Sequence, residues 1–430
     1  MKNPKKLAPI AVLGVFALVL SGCSSSSTST TASGGPAASN LAGRGPITYV
    51  QGKDNSNVVR PLIAKWNAAN PDQQVTFKEQ TDQADQQHDD LVQHFQAQDS
   101  GYDVASVDVV WTAEFAAKGW LQPLTGSLAF DTTGMLAPPV KAATYNNTLF
   151  AAPNSSDAGL LYYRSDLVPT PPTTWDEMIA DCPIAVQNGM GCYAGQFAQY
   201  EGLTVNAAEA INTAGGQIVG DDGKTANVNT PEAAKGLSLL ADNYANGNIP
   251  KEAITFQEEP GRQAFEAGQL LFLRNWPYVY KLASTDGSSQ VIGKFGVAPL
   301  PGLTTAKPGA SSLGGHSLGM SVYSAHKATA LAFIKFMASS ESQTFNLTQG
   351  SLAPTLEALY SQQDLIQQFP YLPTLLISIQ NAIPRPVTPF YPAVTLAVQQ
   401  NAYQAIQGQK TVQQALTDMQ AAIQAATGGS

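Results

Sequence analysis

The sequence predicts an α/β protein of two domains. Short apolar runs of strand length alternate with longer segments whose apolar residues recur at helical spacing. The alternation starts near residue 47 and is taken up again near residue 160. Roughly 385 of the 430 residues lie beyond position 45, enough for two domains with a core each. Helix following strand in this manner implies a mainly parallel sheet.

The first residues read as targeting rather than as fold. Lys2, Lys5 and Lys6 precede an apolar run over 7–20 that is broken by Pro9 and Gly14. Leu20-Ser21-Gly22-Cys23 then leads into Ser24-Ser25-Ser26-Ser27. This is a secretory signal over 1–22 ending in a sequence that resembles a bacterial lipobox, with Cys23 the expected site of diacylglyceryl attachment. The alternative, a membrane-spanning anchor, needs ~20 apolar residues, more than the run supplies. Two acyl chains anchor a protein stably where one does not. The folded part is therefore expected outside the cytoplasmic membrane and tethered to it. The linker over 23–45 is rich in Ser, Thr, Gly, Ala and Pro and is expected to be a flexible spacer.

Folding should begin with a strand over 47–50. A helix over 57–69 follows, with Val58, Leu62, Ile63 and Trp66 on its buried face. Asn70-Pro71-Asp72 ends it. A strand over 74–77, a helix over 86–98 and a strand over 102–110 complete the first set. The second begins with a strand over 160–163. Thr174 and Glu177 have the spacing of a capping box. Helices are expected over 203–214, ending at Gly215-Gly216, and over 231–244, with Pro231 in its first turn. Residues 261–267 lead into a strand over 270–273. A helix over 325–337 precedes a helix-rich C-terminal part, whose last helix spans 412–426.

Composition excludes several functions. Charged residues make up 13% of the chain and the net charge is −9. No basic run follows residue 6, so nucleic acid is not an expected partner. No later stretch has membrane-spanning length, so the chain does not form a channel by itself. With Cys23 lipidated, Cys182 and Cys192 remain as a pair in an oxidising compartment, where a disulfide persists. Two cysteines without a nearby histidine make at best half a zinc site. His88, His94, His316 and His326 show no ligand spacing. No metal or cofactor is expected, and the chain is expected to be a monomer.

Four segments combine aromatic and polar residues. Val107-Asp108-Val109-Val110-Trp111 lies where a strand gives way to a helix, the end of an α/β sheet at which ligands bind. Asp108 could equally cap that helix. Asn154-Ser155-Ser156-Asp157 is an extended crossing segment whose carboxylate could serve a ligand or a local turn. In Asn275-Trp276-Pro277-Tyr278 two aromatics flank a proline just after a strand. Such rings offer a flat face to the C–H face of a pyranose, or they pack in a core. Four prolines stiffen 383–392 around Arg385, whose fork of donors suits vicinal hydroxyls, a carboxylate or a brace between domains.

Together with the strings at 108–120, 160–178, 264–280 and 330–343, these segments resemble the bacterial solute-binding lipoproteins of carbohydrate ABC importers (extracellular solute-binding protein family 1). The likeness covers nearly all of 45–420 and is strongest to the trehalose/maltose-binding branch, mycobacterial trehalose-recycling binders included. It implies two α/β lobes of the periplasmic-binding-protein type, with hinge strands between them, closing like a clam on a disaccharide. Trehalose is the first expectation and a maltose-type sugar the second. The N-terminal lobe would comprise 46–153 and 300–345, and the C-terminal lobe 154–299 and 346–430. By the same resemblance Asp108 and Asp157 accept sugar hydroxyls, Trp276 and Tyr278 stack under the rings, and Gly315 lets backbone approach the ligand. Arg385 would bond hydroxyls on closure, and Glu258 or Glu259 would supply an acidic contact. The segment Tyr200-Glu201-Gly202-Leu203 is a further cleft candidate. The implied partners are permease transmembrane subunits and a separate ATPase.

An enzyme is the competing class. Asp108 and Asp157 could form the carboxylate pair of a glycosidase, though no glycosidase motif accompanies them. Ser-His-Asp catalysis finds no recognisable motif partner for His316, and no GxxxxGK[ST] string is present.

Overall fold

The computed structural model describes residues 43–428. The expected signal, Cys23 and most of the 23–45 linker lie outside them.

Two sheets organise the chain. The first runs in the order Val75–Glu79, Ile47–Gln51, Val104–Asp108, His316–Met320, Ala151–Pro153. Ile47–Gln51 pairs in parallel with both neighbours, because the connections carry the crossover helices Val59–Ala69 and Ala84–Gln96. His316–Met320 is antiparallel to both of its neighbours. The second sheet runs Gly296–Ala298, Leu160–Tyr163, Leu270–Asn275, Gly191–Ala194. Its first two pairings are antiparallel and its last is parallel.

The two-lobed α/β architecture is as expected, but the sheets are mixed rather than mainly parallel. A local crossover helix forces parallel order on the strands it joins. Leu160–Tyr163 instead enters the second sheet directly from the first, and His316–Met320 returns from the second sheet to the first. No crossover dictates their direction.

Strand alternation distributes the core of the first lobe. Tyr49 packs with Leu62, Trp66, Phe333 and Ile334 on one face of the sheet. Its neighbour Val50 packs with Phe95, Val107, Phe115 and Trp120 on the other. In the second lobe, Leu161, Phe272 and Leu273 pack with Leu203, Ile211, Leu237, Val398 and Leu416. The C-terminal helices Tyr391–Ile406 and Val412–Thr427 thereby join this lobe.

Local chemistry sets the element ends. Thr174 and Glu177 form the expected capping box at the start of Trp175–Ala180. Pro231 opens its helix behind Thr230, whose hydroxyl accepts from Ala233 N (3.2 Å). The strand expected over 102–110 stops at Asp108, since Asp108 Oδ1 accepts from Val110 N (3.1 Å) and turns the chain toward the helix Thr112–Ala117. The end of the expected spacer is not free: Gly45 N donates to Thr329 Oγ1 (3.1 Å) and Arg44 Nη1 to Gln73 Oε1 (2.8 Å). A disulfide joins Cys182 to Cys192, tying the helix Cys182–Gln187 to the strand Gly191–Ala194. No helix among the described residues is long and apolar enough to cross a membrane.

Candidate ligand-binding cleft

Two chain segments cross between the lobes side by side. Asp157 N donates to Gly314 O (3.1 Å) and Gly314 N to Asp157 O (2.9 Å). Gly315 has φ +101°, and a Cβ there would lie 2.3 Å from Ser155 O. Close passage of the crossing strands thus requires this glycine, in addition to the close approach of a ligand that the sequence suggests. Beside the crossing lies a cavity of about 240 Å³, lined from both lobes. Asp108, Asp157, Glu258, Trp276, Tyr278, Gly315 and Arg385 all line it, as do Glu201 and Glu259.

The first-lobe wall comes from the carboxyl ends of strands. Gln51 ends the first strand and Gly52, Lys53 and Asp54 follow it, while Ser106 and Asp108 lie in the second half of the third. The residues from Gln51 to Asp54 escaped notice in the sequence, although the strand-end rule applied to 47–50 points at them.

Arg385 is 3% exposed and bridges the lobes. Its Nη2 donates to Asp108 Oδ1 (3.1 Å) and its Nη1 to Glu201. Tyr391 Oη and Thr395 Oγ1 also donate to Glu201. Burial pushes the Glu201 carboxyl up, and the guanidinium opposes that rise. Of the roles open to Arg385 in the sequence, the structure shows the brace. Its Nε has no partner among the described residues.

On the second-lobe wall, Tyr278 Oη donates to Glu259 Oε1 (2.6 Å), and Arg262 Nη2 holds the same carboxylate (2.7 Å). Tyr200 Oη donates to Glu258 Oε2 (2.7 Å), and burial raises the Glu258 carboxyl. Asp157 stands between the walls, where loss of water pushes its carboxyl up to about 7. A hydrogen bond from the Ala353 backbone opposes that rise, while the negative charge of Asp108 adds to it. The lobes also touch through two amides: Gln83 Nε2 donates to Gln257 Oε1 (2.6 Å) and Gln257 Nε2 to Gln83 Oε1 (2.9 Å).

Gly315-His316-Ser317-Leu318-Gly319 spells the G-x-S-x-G string of a nucleophile elbow. Ser317 nevertheless sits within the strand His316–Met320, fully buried, where an elbow requires a sharp exposed turn. Among the described residues no group of His, Cys, Asp and Glu could hold a metal ion.

The cleft thus combines aromatic faces with carboxylate acceptors, between two lobes joined by crossing strands. These features define a clam-shell ligand-binding protein. Residues 51–344 match the bacterial extracellular solute-binding proteins, and the chain belongs to that family, a family of binders rather than of enzymes. A probable ABC transporter-binding protein of Deinococcus radiodurans is 33% identical over 310 residues, 69% of this chain and 72% of its own length. The maltose-bound T. maritima MalE3 is 31% identical, with a TM-score of 0.83 over 88% of this chain and 98% of that one. A Thermotoga lettingae solute-binding protein bound with α-D-tagatose shares the fold at 23% identity and TM-score 0.80, over 89% of this chain and 100% of that one.

Proposed function

We propose that the chain is the substrate-binding lipoprotein of an ABC sugar importer. It binds a disaccharide in the interlobe cleft and delivers it to permease subunits driven by a separate ATPase. The observation that carries this reading is the meeting of Trp276 and Tyr278 with Asp157 and Glu258 in one interlobe cavity. The rings suit the C–H face of a pyranose, and the carboxylates suit its hydroxyls. Trehalose and maltose are the two candidate sugars, and the likeness to a maltose-bound protein supports the second. The lobes are assigned to 46–153 with 300–345 and to 154–299 with 346–430. Cys23 carries the anchor. Sugar touching both walls favours the closed form, and the closed form is what the permease reads.

A glycosidase reading draws support from Asp157, whose carboxyl at about 7 suits a general acid. Asp108 is a poor second member of such a pair, because Arg385 and Val110 N already hold its Oδ1. Thermal unfolding of the full chain with trehalose, maltose, sucrose and glucose tests the proposal, since a ligand of the folded state raises the midpoint. Product analysis on the same samples completes it. A rise with trehalose or maltose and an intact sugar is the expected result. Cleaved sugar would overturn it in favour of the enzyme, and no rise with any of the four would remove the disaccharide.

A further inference from the structure

We propose that Arg274 is the positioning residue of the cleft, fixing the Trp276 indole from the protein side and fastening it to both crossing strands. Arg274 follows four apolar residues in the strand Leu270–Asn275 and is fully buried. A buried guanidinium has to be paired. Nε donates to Glu209 Oε2 (2.7 Å) and Nη2 to Glu209 Oε1. Nη1 donates to Gln196 Oε1 (2.8 Å), and Gln196 Nε2 donates back to Arg274 O (3.1 Å). A planar fork held at all three nitrogens cannot rotate. Its central carbon lies 4.0 Å from the centroid of the Trp276 ring, a cation–π contact. Trp276 lines the cavity and Arg274 does not, so the cation covers the indole face turned away from a ligand.

The same cluster touches both crossing strands. Ser312 N, on the second, donates to Glu209 Oε1 (3.0 Å). On the first, a Cβ at Gly159 would lie 2.5 Å from Glu209 Oε1 and 2.6 Å from Arg274 Nη2. A Cβ at Gly314 would lie 2.7 Å from Trp276 Cζ3. Backbone alone fits there, so the ring cannot tilt without moving the strands about which the lobes close. Ring orientation and closure are thereby coupled.

Fluorine NMR of the full chain labelled with 5-fluorotryptophan tests this without any ligand. Five tryptophans give separate signals, and Trp276→Phe identifies the relevant one. Arg274→Lys keeps a positive charge beside Glu209 but loses the fork. The expected result is a shifted and broadened Trp276 signal with the other signals in place; an unchanged Trp276 signal would overturn the proposal. Should circular dichroism show that Arg274→Lys does not fold, Gln196→Met withdraws one partner without stranding a charge, and the same two outcomes apply. A second arm, which rests on the sugar reading, titrates maltose. Arg274→Lys is expected to weaken binding roughly tenfold, with no further loss in a Trp276→Ala background. Losses that simply add would mean that Arg274 does not act through the ring. A wild-type chain that ignores maltose would sink the sugar reading, while the fluorine signal would still decide the role of Arg274.

Discussion

The two walls of the cleft are built differently. The first-lobe wall is made of short polar residues that local hydrogen bonds set in place. Asp54 caps the next helix, accepting from Val58 N (3.1 Å) and Val59 N (2.8 Å), and Gln87 Nε2 reaches Thr81 O (2.8 Å). The second-lobe wall presents Trp276 and Tyr278, and each ring leans on an ion pair: Arg274 with Glu209, and Arg262 with Glu259. A loop can aim a carboxylate by itself. A large flat ring held half out of the core needs a foundation that reaches far along the chain. Arg385 joins the two designs, with one partner on each side.

If the second wall carries most of the binding, Trp276→Ala should cost the largest effect, about 2 kcal/mol or more in affinity, with little change in the thermal midpoint. Calorimetry with maltose, beside a melting curve, checks it. Unchanged affinity would move the main contact to the first wall. Arg385→Lys attacks the join. A point charge cannot serve Asp108 and Glu201 as the fork does, so affinity should fall by about 1–2 kcal/mol. The midpoint should fall with it, since the brace contributes to folding as well as to closure. A loss of affinity with an intact midpoint would make Arg385 a ligand contact rather than a brace.

The third prediction concerns pH. The folded-state pKa of Asp157 is raised from 3.8 to about 7, so the folded chain holds this proton more tightly than the unfolded chain. Stability therefore falls as pH rises from 3.8 to about 7 and is level above that. Asp157→Asn removes the buried charge and should stabilise the chain at pH 8, on the order of 1 kcal/mol after discounting for water in the cleft. The gain should fade toward pH 4, and melting at both values checks this. A gain that does not depend on pH would deny the shift. The smallest effect is expected of Gln83→Ala, which breaks the amide pair across the mouth. It should cost below ~1 kcal/mol and show mainly as faster ligand release in stopped-flow measurements.

The same contrast explains what the sequence could show. Strand ends, caps and helical faces are local, so the capping box at Thr174 and the helix behind Pro231 were legible. Trp276 and Tyr278 stood out because two aromatics flank a proline after a strand. Arg274 did not, because its partner Glu209 lies 65 residues away. A brace is one of the roles the sequence offers for Arg385, but not its partner Asp108, which lies 277 residues away. Sheet direction is hidden for a related reason: the alternation of helix and strand is visible along the chain, but the passage of His316–Met320 between lobes is not. Gly315 lines the cavity as the sequence suggests, but nothing in the sequence shows that Ser155 also passes beside it.

The central claim is that this cleft holds a disaccharide and releases it unchanged. Isothermal titration calorimetry of the full chain with maltose, and in parallel with trehalose, tests it most directly. The account predicts saturable one-to-one binding of at least one of them, with the sugar recovered intact. Flat titrations with both, or a heat signal that traces turnover instead of saturation, would contradict it.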